Sequence, residues 1–277
     1  MRRLSARYIA GETLDQAMDT TRAFAAQGYG GVLDVLGEDV ADEAEARAAL
    51  ADYVRCTKAI ATAGVDSYVS VKPTHFGLRI SEDLCFDLYA ELATRCEALG
   101  QKLRVEMEDH TTTEATLRVF RKLRERFQNV GVVIQSRLFR TADDIAALPE
   151  ASDVRLVKGI YLEPESIAHT DADAIREAFL KDVERLFQGG HSIALATHDA
   201  PMAERALRIA EEQGVGRERY EFEVLMGVQE TLWTTWRDRG CRVRIYVPFG
   251  PGWRAYSQRR LRKNPQILGH VMRNVFG

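Results

Sequence analysis

Strand followed by helix, repeated eight times along 277 residues, predicts an α/β protein built as a (β/α)8 barrel. Three observations carry this expectation. Short β-branched runs alternate with longer stretches rich in Ala, Leu, Glu and Arg, and a repeated strand–helix order makes a parallel sheet. The length suits a closed eight-unit barrel, which typically needs about 250 residues. No linker rich in Pro, Gly or Ser interrupts the pattern, so residues 1–277 are expected to form one domain.

The elements follow in order. A first helix, about 12–27 and containing "LDQAMDTTRAFAAQ", precedes the first strand run, "GGVLDVLG" (30–37). "SYVSVKP" (67–73) is the second run, and Ser81 before Glu82 reads as the N-cap of the helix after it, with acids in its first turn. "KLRVEME" (102–108) and "VGVVIQS" (130–136) are the third and fourth runs. Thr141 ahead of Ala-Asp-Asp reads as another N-cap. "DVRLVKG" (153–159) and "SIALATH" (192–198) follow, each with an amphipathic helical stretch behind it, "DADAIREAFLKDVERLF" and "APMAERALRIAEEQ". "YEFEVL" (220–225) and "CRVRIYVP" (241–248) complete the strands. A last, extra helix is expected to begin near Trp253.

Alternation within the strands gives the site. Residues two apart share a face. Val69 and Val71 oppose Tyr68, Ser70 and Lys72. Leu103, Val105 and Met107 oppose Arg104 and Glu106. Val243, Ile245 and Val247 oppose Arg244 and Tyr246. Val154 and Leu156 oppose Arg155, and Gln135 opposes Ile134. The apolar set is expected to face the helices and the polar set the barrel interior. Lys72, Glu106, Gln135, Arg155, His198 and Tyr246 then converge at the C-terminal end of the strands, where (β/α)8 enzymes hold their active sites. Charge is costly to bury without pairing or use.

Composition excludes several classes. Net charge is −3 and the sequence pI about 6.1, so nothing global attracts nucleic acid or an anionic membrane. Cys56, Cys85, Cys96 and Cys241 form no CxxC pair and suit a reducing compartment. The N-terminus lacks the apolar core of a signal peptide, and no apolar run is long enough to span a membrane. The histidines show no HxH or HExxH spacing, so no metal is expected. A cytoplasmic protein follows, with any membrane contact peripheral, at the inner face.

The stretch "YVPFGPGWRAYSQRRL" (246–261) holds the sharpest local signal. Tyr256, Arg259 and Arg260 stand at i, i+3 and i+4 and share one helical face. Two guanidinium groups there suit a small carboxylate, although a solvated charged face has the same spacing. "GPGWRA" (250–255) matches the glycine fingerprint of dinucleotide-binding folds, but no acidic strand end follows about 20 residues on, so that reading is set aside.

With "VSVKPTHFGL", "LRVEMEDHTTTEATL", "VGVVIQS", "VRLVKGIYLEP", "IALATHD" and "YEFEVLMGVQE", this stretch resembles the flavin-dependent proline dehydrogenases, in order and over nearly the whole chain. The resemblance implies a distorted, TIM-like (β/α)8 barrel, its extra C-terminal helix over the mouth, binding FAD without a covalent link. It implies oxidation of L-proline, or a close cyclic amino acid, to 1-pyrroline-5-carboxylate. It assigns Lys72, Arg259 and Arg260 to the substrate carboxylate. Tyr161, Leu225, Tyr246 and Tyr256 would wall the ring. Arg155 would sit near flavin N5 and N1. Met107, Gln135, the Val157–Lys158–Gly159 backbone, Thr197 and His198 would contact FAD. Glu106 would be the acidic residue linked to Lys72. A quinone or other acceptor would take the electrons, and a separate pyrroline-5-carboxylate dehydrogenase would take the product. The chain is expected to carry little of the helical N-terminal arm of longer members. It departs from the family pattern at Glu106 (usually Asp), Ile160 (usually Ala) and Lys263 (usually Glu). Two rivals stay open: a Schiff-base aldolase using Lys72 or Lys158, and a non-catalytic relative that binds proline or flavin.

Overall fold

The computed structural model describes residues 8–251 and 253. Eight parallel strands close into a barrel in chain order, and the last pairs with the first. The strands are β1 (Gly30–Val35), β2 (Ser67–Val71), β3 (Leu103–Val105), β4 (Val130–Gln135), β5 (Asp153–Val157), β6 (Ser192–Ala196), β7 (Tyr220–Leu225) and β8 (Val243–Phe249). Helix α1 (Leu14–Ala25) precedes them and packs over β1 and β8. Then come α2 (Glu43–Ala63), α3 (Glu82–Ala98), α4 (His110–Arg124), α5 (Thr141–Ala146), α6 (Ala172–Gln188), α7 (Ala200–Glu212) and α8 (Glu230–Asp238), one after each of the first seven strands. The extra helix expected after β8 lies outside the described residues.

Local chemistry starts the helices where the sequence asks for it. Thr13 and Gln16 form a reciprocal capping box on α1. The side chains of Asp42, Asp109, Asp171 and Asp199 cap α2, α4, α6 and α7. Ser81 caps α3 as expected, accepting from Leu84 N at 3.3 Å. Thr141 does not cap α5. It is the first helical residue, and its hydroxyl donates to the Gln135 carbonyl at 2.7 Å. The strand end offered a nearer acceptor than a cap needs a donor, so the hydroxyl ties α5 to β4 instead.

The apolar set packs outward. Val69, Val71, Leu103, Val105, Val132, Val154, Leu156, Ile193, Phe222, Val224, Ile245 and Val247 are essentially buried beneath the helices. Each such side chain removed from water contributes about 1.5–3 kcal/mol. The polar set lines the interior, and the register carries it round the ring. Ser70 pairs with Arg104, Val133 with Arg155, Arg155 with Ala194, Ala194 with Glu221, and Glu223 with Arg244. Small residues make room for large ones. A Cβ at Gly131 would stand 2.6 Å from both Arg104 Nη1 and the Asp153 carbonyl oxygen, and the fixed backbone of β5 leaves no room for a side chain there.

Candidate active site

The barrel interior is a column of ion pairs that rises from floor to mouth. At the floor, Arg104 reaches Asp153 at 2.9 Å, and Arg244 reaches Glu221 at 3.0 Å and Asp66 at 3.2 Å. Tyr68 lies between these arginines and donates to Glu223. Above them Arg155 crosses the barrel. Its Nε donates to Glu223, its Nη1 to Glu106 Oε1 at 2.5 Å and Ser70 Oγ at 3.2 Å, and its Nη2 to Tyr68 Oη at 3.4 Å. Its guanidinium carbon stands 5.1 Å from the centre of the Tyr246 ring.

Glu106 is the hub. Its Oε1 also accepts from Ser70 Oγ at 2.6 Å and Tyr246 Oη at 3.0 Å. Burial alone would raise its pKa, but the charges of Arg155 and Lys72, with these hydrogen bonds, hold it below the ordinary carboxylate value. Burial likewise opposes the charge on Arg155, and Glu223 and Glu106 overcome it, so that its pKa rises. The pair is therefore ionised, and Glu106 is a fixed anion rather than a proton donor. The extra methylene of Glu, relative to Asp, lets one oxygen meet three walls of the barrel.

Lys72, just beyond β2, is buried, and its Nζ lies 3.0 and 3.1 Å from the two oxygens of Asp34 on β1. Gln135, at the end of β4, donates from Nε2 to the Glu108 carbonyl at 3.0 Å and approaches Glu163 at 3.5 Å. This orientation turns Oε1 toward Gly159. Gly159 has φ +98°, and a Cβ there would stand 2.7 Å from Gln135 Oε1. Lys158 points to the other side and meets Asp199 at 3.4 Å. Val157 and Tyr161 are half-buried and Met107 is buried. The Tyr161 carbonyl accepts from Arg137. Thr197 is buried and its hydroxyl accepts from Asp199 N at 3.0 Å. His198 Nε2 accepts from Leu225 N at 3.1 Å, and the Leu225 side chain is exposed. Tyr256, Arg259, Arg260 and Lys263 lie outside the described residues.

Glu106, Arg155 and Tyr246 thus meet directly. Lys72 stands close enough to act on the charge of Glu106, and Gln135 and Gly159 adjoin one another. Sequence reasoning missed Asp34 and Glu223. Both carried a signal: Asp34 opposes Leu33 in "VLDV", and Glu221 and Glu223 alternate with Phe222 and Val224 in "YEFEVL". It also missed Glu163, which faces the N-terminus of α4. Glu163 accepts from His110 N at 3.1 Å and lies 2.5 Å from the His110 ring. No periodic pattern marks it, because it sits in the loop after β5.

Comparison with known proteins adds to this geometry. A sequence model of the family described as proline dehydrogenase matches residues 17–273. The proline dehydrogenase of Deinococcus radiodurans is 31% identical over 278 residues, 98% of this chain and 90% of that protein. Proline dehydrogenase 2 of Bacillus subtilis (strain 168) is 29% identical over 270 residues, 97% and 89% of the two chains. Among solved structures, proline utilization A from Bdellovibrio bacteriovorus, inactivated by N-propargylglycine, superposes with a TM-score of 0.86 at 22% identity. The likeness covers 94% of this chain and 32% of that one, so this chain spans about a third of that protein. At such identity the likeness bears on the fold, and it agrees with the closed barrel. The model match and the near-complete overlap with the curated relatives lead to one conclusion: the chain belongs to the proline dehydrogenase family.

Proposed function

We propose that this chain oxidises L-proline to 1-pyrroline-5-carboxylate with FAD at the mouth of the barrel. Membership of the family carries the reaction. The observation that carries the cofactor is the Gln135–Gly159 corner. Gln135 Oε1 is buried and has no hydrogen-bond partner among the described residues. A buried acceptor of this kind calls for a donor. The missing side chain at Gly159 leaves that space to Gln135 Oε1 and the stem of Arg137, which holds the acceptor against the backbone at this corner. Arg155 brings a fixed positive charge to the same mouth. These features fit an isoalloxazine ring, and Met107, Gln135, Arg155, the Val157–Lys158–Gly159 backbone, Thr197 and His198 would contact FAD.

Bound FAD supplies the hydride acceptor. The chain supplies position and charge. Lys72, with Arg259 and Arg260, would take the carboxylate of proline. Tyr161, Leu225, Tyr246 and Tyr256 would wall its ring. Glu106 holds both Arg155 and Tyr246, so the charge and one wall of the site share an anchor. Fixing the ring in this way lowers the entropic part of the barrier. Loss of hydride from C5 needs a neutral amine. Like-charge repulsion from surrounding cations would favour loss of the amine proton, but Lys72 and Arg155 are each matched by carboxylates. Any such repulsion therefore rests on Arg259 and Arg260.

The aldolase rival fits less well. A Schiff base needs an amine lone pair, and Lys72 and Lys158 are both ion-paired. The purified protein is expected to show flavin absorbance that bleaches when proline is added without oxygen. A colourless protein that gains no absorbance from added FAD sinks the cofactor assignment. A yellow protein that proline does not bleach favours the non-catalytic relative. Inactivation by borohydride with a keto acid would restore the aldolase. Transfer of electrons to a quinone and hand-over of product to a separate pyrroline-5-carboxylate dehydrogenase complete the proposal.

A further inference from the structure

We propose that Glu223 is a positioning residue for proline oxidation: it fixes the guanidinium of Arg155 against Glu106, and so sets where the positive charge stands at the barrel mouth. The proposal builds on the functional reading above.

Arg155 and Glu223 belong to β5 and β7, with β6 between them. The inward residues of β6 at this level are Ala194, which pairs with Arg155, and Ala196, which pairs with Glu223. Two methyl groups leave a gap, and the arginine side chain spans it. Glu223 takes the Nε edge of the guanidinium, and Glu106 takes Nη1 from another wall. Two carboxylates on different edges fix the plane of a rigid, fork-shaped cation. Without Glu223 the Nε edge loses its acceptor, and only Nη1, on Glu106 and Ser70, and the longer Nη2 bond to Tyr68 hold the guanidinium. Glu223 is itself fixed from below. Tyr68 donates to its other oxygen, and Arg104 Nη2 lies 3.8 Å away. The floor of the barrel thus sets Glu223, Glu223 sets Arg155, and Arg155 joins Glu106 and the Tyr246 ring.

Stability gives little reason for this arrangement. A buried ion pair roughly breaks even against an apolar replacement of similar volume. Orientation gives a better one, because a charge near the reacting atoms acts only if it is held in one place before reaction.

The test is Glu223→Gln, which keeps the shape and removes the charge. We expect kcat to fall about tenfold and KM for proline to move less than about twofold, the size of coupling typical of contacting charged residues. In an Arg155→Lys background, the same substitution should cost little more. Flavin content and the melting temperature of the flavin-free chain are measured for each variant. The thermal cycle between positions 155 and 223 should itself show coupling without cofactor. Glu223→Asp, which keeps the charge and shortens the reach, should recover part of kcat, and it serves as the test variant if the Gln form does not fold. An unchanged kcat overturns the proposal. So does an equal fall in both backgrounds, or a fall that only follows lost flavin or lost folded protein. If wild-type protein is not bleached by proline, the functional reading fails instead, and the thermal cycle alone decides whether Glu223 holds Arg155.

Discussion

Lys72 shows how one residue can serve the fold and the site together. Its ammonium meets the Asp34 carboxylate, which is fully buried and also accepts from the Tyr53 hydroxyl at 3.4 Å. Removing the lysine leaves a buried anion without its cation, which should cost about 3–5 kcal/mol. Lys72→Met is therefore expected to lose that much stability in denaturant unfolding, and Asp34→Asn in the same chain should recover most of it. A loss under about 1 kcal/mol in the single variant would show the pair to be effectively solvated. At this scale the sequence was half legible. Alternation found Lys72, Glu106, Arg155 and Tyr246, because each opposes an apolar strand neighbour. It passed over Asp34 and Glu223, although each alternates with apolar neighbours in "VLDV" and "YEFEVL". Which carboxylate meets which cation depends on strand register across the barrel. No single strand contains that information.

The loops above the strands decide how rigid the mouth is. The segment between β5 and α6 is long, yet it is stitched to the segment after β4. Phe139 N donates to Ile167 O at 2.9 Å, His169 N to Arg137 O at 2.8 Å, and Arg137 to Tyr161 O. Tyr161 is thus held at its carbonyl by the Arg137 side chain, in a loop with no periodic pattern, which is why sequence placed it only through resemblance. The loop after β3 carries Glu108, which accepts from Thr74 N at 2.9 Å and Thr74 Oγ at 2.8 Å. Burial pushes its carboxyl up to about 7, against those hydrogen bonds and the charge of Lys72. The folded chain therefore holds this proton above the ordinary value of 4.5, at which the unfolded chain releases it. Between those two values the native state binds more protons, so stability falls as pH rises. The contribution of Glu108 is complete below the unfolded value and is lost as pH passes the folded one. Glu108→Gln keeps an acceptor for Thr74 and removes the titration. Wild type should lose more melting temperature than this variant between about pH 5 and pH 8. Parallel curves for the two proteins would assign the pH dependence elsewhere.

Across the whole molecule, the barrel was the most legible feature, because strand–helix repetition fixes topology with few alternatives. Its interior charge balance was not legible, and it shapes the last prediction. Inside the barrel Lys72 faces Asp34, Arg104 faces Asp153, Arg155 faces Glu106 and Glu223, and Arg244 faces Glu221 and Asp66. Every one of these cations already has an anion beside it. A substrate carboxylate that enters the mouth therefore finds little uncompensated positive charge in the barrel itself. Beside Lys72, the "QRRL" stretch (258–261) is where the sequence offers more. Losing one charge-assisted hydrogen-bonding partner costs about 1.5–3 kcal/mol. Arg260→Ala should then raise KM for proline by about tenfold or more, while flavin content and melting temperature stay near wild type. Lys263 adds a second expectation on the same stretch. At i+4 from Arg259 it sets like charges at helical spacing, which costs roughly 0.2–0.5 kcal/mol per pair in a helix. Lys263→Glu should therefore tighten proline binding and raise the melting temperature of the substrate-free protein. If Arg260→Ala leaves KM unchanged, Arg260 has no part in the clamp and the carboxylate rests on Lys72 and Arg259.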